Sequence, residues 1–216
     1  MIENILIAVS IFIILTNILM LGTSRLGVMI KGISFQGVLI SLLPLLLFAE
    51  SAEISHLIII AILTILVKGF MIPKLLHNAI KSVDVKRELH PFVGYFSSVL
   101  FGLFAFFLST YILEKMPFYY LVVSPIHAIT AMASILIATF IIASRKNVLA
   151  QVIGFLIFEN AGFILSIALA AKYPLLIELG ILVDLLAGIL IMGIAMKFIH
   201  LHFNTIGIHS LERLNK

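Results

Sequence analysis

Three ionisable residues stand inside long apolar segments of this 216-residue chain. Lys68, Glu159 and Asp184 each fall near the middle of a hydrophobic run, and Glu159 is followed directly by Asn160. At the centre of a membrane-spanning helix, each such residue costs about 2.5–3.5 kcal/mol on insertion scales. We therefore expect them to face a protein interior or a water-filled cavity, where each pairs with another polar group.

Buried ionisable groups of this kind can relay protons. Burial disfavours the charged form of each group, which makes a proton easier to exchange. A change of charge on one group then alters the protonation of its neighbours. We predict Lys68, Glu159 and Asp184 as proton-relay residues. The sequence leaves open the alternative of a static buried pair, such as Lys68 with Glu159, that only fixes helix packing.

Other residues in these segments are expected to support the three ionisable groups. Pro73 follows Lys68 by five positions and is expected to kink its helix, because proline lacks the N–H that the carbonyl one turn earlier would bind. Gly180 and Gly188 flank Asp184 at a spacing of four, which lets another helix approach closely. The predicted polar helpers are Asn160, Gln36 and Thr64.

The composition places these segments in a membrane. The chain is 62% hydrophobic and 11% charged, whereas soluble domains average about 45–50% apolar and about 25% charged residues. The absence of cysteine excludes disulfides, thiolate-ligated iron–sulfur clusters and a cysteine nucleophile. We therefore predict an all-α integral membrane protein with about seven transmembrane helices, each of about 20 residues. The predicted spans are residues 3–21, 29–48, 54–77, 92–113, 120–143, 148–171 and 174–200.

The distribution of lysine and arginine predicts the orientation of these spans. Basic residues collect on the cytoplasmic side of a membrane, so the richer side is predicted to be cytoplasmic and the N-terminus to lie outside. Lys115 and Lys172 are the basic residues on the poorer side, and Lys68 lies within a span. The richer side holds Arg25, Lys31, Lys74, Lys81, Lys86, Arg87, Arg145, Lys146, Lys197, Arg213 and Lys216.

A weak internal repeat divides the predicted transmembrane domain. Ser24 and Arg25 precede the second span as Ser144 and Arg145 precede the sixth, at an offset of about 120 positions. We expect two parallel three-helix units, with one linking helix that restores the direction of the chain. The units are residues 1–91 and 114–200, the linking helix is residues 92–113, and residues 201–216 form a cytoplasmic tail.

Histidines near the ends of spans raise a competing possibility. His56 and His127 both lie toward the outer side, and two imidazoles can ligate a b-type haem axially. Histidines are also common at membrane interfaces, and no motif fixes this pairing. We expect no cofactor and no metal.

Three stretches of the chain carry distinctive motifs. They are Lys68-Gly-Phe-Met-Ile-Pro73, then Ser144-Arg145-Lys146-Asn147-Val148 running to Gly154 and Phe158-Glu159-Asn160, and finally Glu178-Leu-Gly180 followed by Asp184. In these motifs the chain resembles the hydrogenase-4 component E family, and the resemblance extends over nearly the whole chain.

The last three spans also resemble the K-type subunit of respiratory complex I and the C-type subunit of multisubunit cation/proton antiporters. In those subunits, basic residues and an asparagine precede a helix, and the second and third helices each carry one carboxylate. Asp184 matches the third-helix position. The second-helix position falls at Leu156, and Glu159 lies three residues later on the same helix face.

The resemblance implies a non-catalytic, cofactor-free subunit in the membrane arm of a complex-I-like group 4 [NiFe] hydrogenase or formate hydrogenlyase. Its partners would be antiporter-like and quinone-site-like subunits in the cytoplasmic membrane of a prokaryote, and indirectly the peripheral hydrogenase arm, with no nucleic acid. There it would contribute Lys68, Glu159 and Asp184 to proton or cation translocation. The alternatives are a C-type-like antiporter subunit and a purely structural membrane anchor.

Overall fold

The described part of the chain is helical throughout. A computed structural model describes residues 2–47, 54–83, 91–116 and 124–169, and no strand occurs among them. The predicted all-α class is confirmed for these residues. The predicted span at 174–200, which contains Asp184, and the tail at 201–216 lie outside them. The elements are α1 (Ile2–Gly22), α2 (Leu26–Leu47), α3 (Ile54–Thr64), a π-helical segment (Ile65–Met71), α4 (Ile72–Val83), α5 (Tyr95–Lys115), α6 (Pro125–Ser144) and α7 (Val148–Leu169).

Six stretches of these helices are long and apolar enough to cross a membrane. A helix satisfies its backbone N–H and C=O groups internally, which a segment in water-free lipid requires. Several such helices in one chain suggest a membrane-embedded protein, and each overlaps one of the first six predicted spans. The six stretches are Glu3–Gly22, Leu26–Leu43, Ala61–Lys81, Tyr95–Lys115, Pro125–Ser144 and Val148–Leu169.

The helix that contains Lys68 continues past its predicted end at residue 77. It runs on as α4 to Val83 because this last part is amphipathic rather than wholly apolar. Leu76 and Ala79 are buried on one face, whereas Lys74 and Lys81 are exposed on the other. The apolar periodicity extends the helix, while the basic face is suited to the membrane surface.

The packing places α7 at the centre of the described helices and α5 at their edge. Two thirds of the span in α7 (67%) is buried, but only 28% of the span in α5. α7 packs against α6 and α2, and α5 packs against α6 and α1. Phe101 of α5 stacks on Phe140 of α6 with ring centroids 4.1 Å apart. Because lipid provides little hydrophobic drive for helices to associate, such close packing is what holds them together.

One contact brings α2 and the π-helical segment especially close. A Cβ atom added at Gly37 would lie 2.8 Å from the Cβ of Lys68 and 3.0 Å from its carbonyl carbon. These distances are shorter than a side chain at position 37 tolerates, so the two helices can approach this closely only because residue 37 is glycine. Small residues allow this approach between membrane helices. Gly37 therefore fixes the distance between α2 and the helix that carries Lys68.

We predict that Gly37→Ala destabilises the protein by about 1–3 kcal/mol, because the added methyl group overpacks against backbone atoms. Gly27→Ala in the same helix is the matched control, since a Cβ there meets no described atom within 4 Å. Reversible unfolding in mixed detergent micelles, followed by circular dichroism, measures both. Equal stability of the two variants would contradict the close contact.

Candidate functional site

Lys68 lies in an unusual helical segment. Residues Ile65–Met71 form a π-helix, and Pro73 is the second residue of α4, which continues it. Proline has no N–H to complete an α-helical bond to the carbonyl of Gly69. The hydroxyl of Ser34 in α2 donates to that carbonyl instead, with an oxygen–oxygen distance of 2.6 Å. π-helical turns are rare and frequently occur at functional sites.

The ammonium group of Lys68 meets three side chains of α7. It donates to Oδ1 of Asn160 at 2.9 Å and lies 3.4 Å from Oε1 of Glu159. It also lies 5.5 Å from the centroid of the Phe163 ring, within the range of a cation–π interaction. These residues share one face of α7, since positions three and four apart are neighbours on a helix. We call Lys68, Glu159 and Asn160 the lysine cluster.

Burial gives the lysine cluster its chemical character. The Lys68 side chain is 7% exposed and that of Glu159 is 1% exposed. At this depth, the hydrogen bond from Lys68 to Asn160 and the ion pair with Glu159 offset the cost of removing the two charged side chains from water. The geometry places an ammonium proton donor beside a carboxylate acceptor, which is the kind of contact that a proton relay requires.

Gln36 belongs to a separate polar network rather than to the lysine cluster. Its Nε2 donates to Oδ1 of Asn17 at 2.7 Å and to the hydroxyl of Thr16 at 2.8 Å. The amide of Asn17 donates in turn to the hydroxyl of Ser134 at 2.8 Å. This network joins α1, α2 and α6. Asn17 and Ser134 are not among the residues predicted from the sequence, although an asparagine inside the first apolar run is a signal that could have identified this network.

The other predicted site residues have different positions. Thr64 is half-buried at the end of α3, one turn before Lys68. His127 is buried in the first turn of α6, where its Nδ1 lies 2.6 Å from the hydroxyl of Ser124. The side chain of His56 and the whole of Asp184 lie outside the described part. The described residues contain no group of three histidine or carboxylate side chains suited to a metal ion. The predicted absence of a cofactor stays a prediction.

Arg145 is a fully buried cation where the sequence predicts a loop residue. Its Nη2 donates to the carbonyl of Leu21 at 2.6 Å, and its guanidinium carbon lies 4.5 Å from the centroid of the Tyr95 ring. Leu21 is in the last turn of α1, where the helix dipole favours a positive charge. Arg145 thus ties together the end of α1, the start of α5 and the end of α6. Lys146, its neighbour, is exposed.

Asn147 begins α7 next to this contact. Its side-chain oxygen accepts a hydrogen bond from the backbone N–H of Leu149 at 2.8 Å, as an N-cap residue does. The amide of Gln151 donates to the carbonyl of Arg145 at 2.8 Å. Hydrogen bonds on both sides therefore hold the short connection from α6 to α7. They fix the start of α7 relative to α6, and with it the position of Glu159 and Asn160 in the bundle.

Over its described residues, the protein is therefore all-helical, with apolar helices around buried polar clusters. No family model matches the chain, and no solved structure matches it. The chain is similar to a protein of Mycobacterium tuberculosis (strain ATCC 25618 / H37Rv) described as "Uncharacterized protein Rv0085". The two are 26% identical over 186 residues, which cover 84% of this chain and 82% of the relative.

The lysine cluster predicts a distinctive pattern of stability. Lys68→Met or Glu159→Met alone is expected to destabilise the protein by about 3–5 kcal/mol, because each removes one half of a buried ion pair. The double variant replaces the pair by apolar side chains of similar volume, and we expect it to recover most of that loss. Unfolding in mixed micelles measures the three variants. Additive losses in the double variant would show that the two side chains do not interact.

Arg145 provides an independent prediction. Arg145→Met is expected to lower the free energy of unfolding by about 1.5–3 kcal/mol, the contribution of a hydrogen bond to a charged group. The neighbouring variant Lys146→Met removes the same charge from an exposed side chain, and we expect a change of at most about 1 kcal/mol, the contribution of its cation–π contact with Phe92 at 4.6 Å. If both variants unfold alike in mixed micelles, the buried contact with Leu21 does not hold the helix ends together.

Proposed function

We propose that this chain is a cofactor-free membrane-arm subunit of a complex-I-like group 4 [NiFe] hydrogenase, of the hydrogenase-4 component E type. In this proposal the redox chemistry belongs to other subunits, and the chain contributes to proton translocation coupled to it. The observation that supports the proposal most is the lysine cluster, in which Lys68 and Glu159 meet inside the bundle. Asp184 is proposed as a third relay residue from its match to the family motif.

The depth of the lysine cluster supports a role in translocation. Lys68 lies near the middle of the span Ala61–Lys81, and Glu159 lies at the middle of Val148–Leu169. A proton that crosses a membrane needs exchangeable groups at this depth, where water is scarce. The π-helical segment adds a second support, because a helix with two available hydrogen-bond patterns can adjust locally when the charge on Lys68 changes.

We also propose the full topology that the sequence predicts. It has seven spans, an external N-terminus and a cytoplasmic C-terminus in a prokaryotic cytoplasmic membrane. Two hydrogen bonds support the part of this topology that places several helix connections at the same end of the bundle. Arg145 reaches the carbonyl of Leu21, and the N–H of Phe92 donates to the carbonyl of Ser144 at 2.9 Å. The connections after α1, before α5 and after α6 thus lie at one end, where the basic residues collect.

The alternatives are a structural anchor and a C-type-like antiporter subunit. The anchor is favoured by Arg145, a buried cation that binds helix ends. In that reading Lys68 and Glu159 form a static buried ion pair that joins two helices, and no proton passes through them. The antiporter reading is favoured by the way Arg145, Lys146 and the capping residue Asn147 lead into α7, since C-type subunits share this pattern with the K-type subunit.

Copurification in mild detergent tests the assignment to a complex. The full chain, with an affinity tag after Lys216, is isolated from its native membrane and its partners are identified by mass spectrometry. We expect a [NiFe] hydrogenase-like large subunit together with antiporter-like and quinone-site-like subunits. Antiporter-like subunits alone would favour the C-type reading, and the absence of both kinds would contradict the proposal.

Glu159→Gln tests the relay within the membrane-bound complex. The variant keeps the size of the side chain but cannot exchange a proton, so we expect hydrogen-linked proton uptake into inverted membrane vesicles to be lost. The subunits should still assemble, and hydrogen turnover should persist when an uncoupler is added. The matched control is Glu114→Gln, which changes an exposed carboxylate at the end of α5. Unchanged proton uptake in the assembled Glu159→Gln complex would support the structural anchor.

A further inference from the structure

An open groove runs along the outside of α2 and α4. Its volume is about 1080 Å³. One end is strongly basic, and no aspartate or glutamate occurs among its described lining residues. The basic end is formed by Arg25, Lys31, Lys74, His77 and Lys81.

The positions of the basic side chains follow from the two helices. Lys74, His77 and Lys81 succeed each other at spacings of three and four, so they share the exposed face of α4. Arg25 precedes α2 directly, and Lys31 lies in its second turn. All five side chains are exposed. Positive charge from two helices therefore converges on one opening, with no described carboxylate among the lining residues to neutralise it.

The other end of the groove is apolar and reaches toward the level of Lys68. Phe35 and Val38 of α2 line it together with Phe70 of the π-helical segment. Phe35 is 44% exposed and Phe70 is 65% exposed. Gly69 also lines this end, next to Lys68 in the chain. The groove thus changes from charged to apolar along the direction that leads from the membrane surface into the hydrocarbon region.

We propose that this groove binds an anionic phospholipid. The phosphate lies among the basic side chains at the helix ends, and an acyl chain lies against Phe35, Val38 and Phe70. Basic pockets between membrane helices recognise anionic headgroups in this way. A soluble anion would use only the basic end and leave the apolar end empty. The lipid is expected to bind whether or not the chain is part of a hydrogenase.

Native mass spectrometry of the purified full chain tests the site, because it resolves proteins with no, one or two bound lipids. We expect the first phosphatidylglycerol to bind at least about tenfold more tightly than phosphatidylcholine, since each basic side chain near an anionic surface contributes about 1 kcal/mol. The double variant Lys74→Gln with Lys81→Gln should lower the affinity for the first phosphatidylglycerol by about 30-fold, because two charges are lost. Equal binding of the two lipids by the unaltered chain would overturn the proposal.

The matched control removes two charges elsewhere. Lys115→Gln with Lys146→Gln changes the net charge equally, at exposed residues that do not line the groove, and should leave phosphatidylglycerol binding within about twofold. Arg25→Gln with Lys31→Gln repeats the test from α2 if the α4 variant does not fold. An equal loss in the control and groove variants would show nonspecific attraction and overturn the site.

Two soluble competitors distinguish a lipid from a free anion. Inorganic phosphate and glycerophosphoglycerol carry the headgroup chemistry without acyl chains. At the concentration of the lipid, neither should displace bound phosphatidylglycerol, because the apolar end contributes to its affinity. Displacement by either competitor would identify a soluble-anion site. In a structure of the intact complex, a neighbouring protein helix could fill the groove in place of phosphatidylglycerol. Displacement by a soluble competitor, or a protein helix in the groove, would overturn the proposal.

Discussion

The ammonium of Lys68 needs partners inside a protein, and much of the described architecture follows from where it finds them. α3, the π-helical segment and α4 pack against α2, and Lys68 carries the contact onward to Glu159 and Asn160 of α7. In a membrane, apolar surface alone gives helices little reason to associate. A buried charge, by contrast, strongly favours the arrangement in which it is paired. The same interaction thus supplies both an attachment between helices and a group that can exchange a proton.

α2 provides the setting for this interaction through one turn of its sequence. Ser34 donates to the carbonyl of Gly69, and Gly37 lets the backbone of Lys68 come close. Between them, Gln36 points to a different neighbour and bonds to Asn17 of α1. The polar residues of α2 therefore join helices on two of its faces. A shift of α2 would disturb the lysine cluster and the Gln36 network together, so the two are mechanically linked although they share no hydrogen bond among the described residues.

The cost of placing charge in a membrane made part of the site predictable. Lys68, Glu159 and Asn160 stand out in apolar runs, and a polar residue at that depth requires a partner. The partner of Gln36 was less predictable, because an apolar helix has no clear polar side that shows which way each residue faces. The π-helical pattern coincides with a tertiary contact, the hydrogen bond from Ser34 to Gly69, that the sequence alone does not reveal. The burial of Arg145 was not predictable, since a count of loop cations treats it like Lys146.

The contact between Arg145 and Leu21 also has a consequence for biogenesis. The two residues are 124 positions apart in the chain. At the usual rate of protein synthesis, the cation emerges on the order of ten seconds after the carbonyl it binds. Until then, the end of α1 lacks this hydrogen bond. Only when α6 and the residue that follows it have been made can the guanidinium bind the end of α1, so this contact among the described helices forms late.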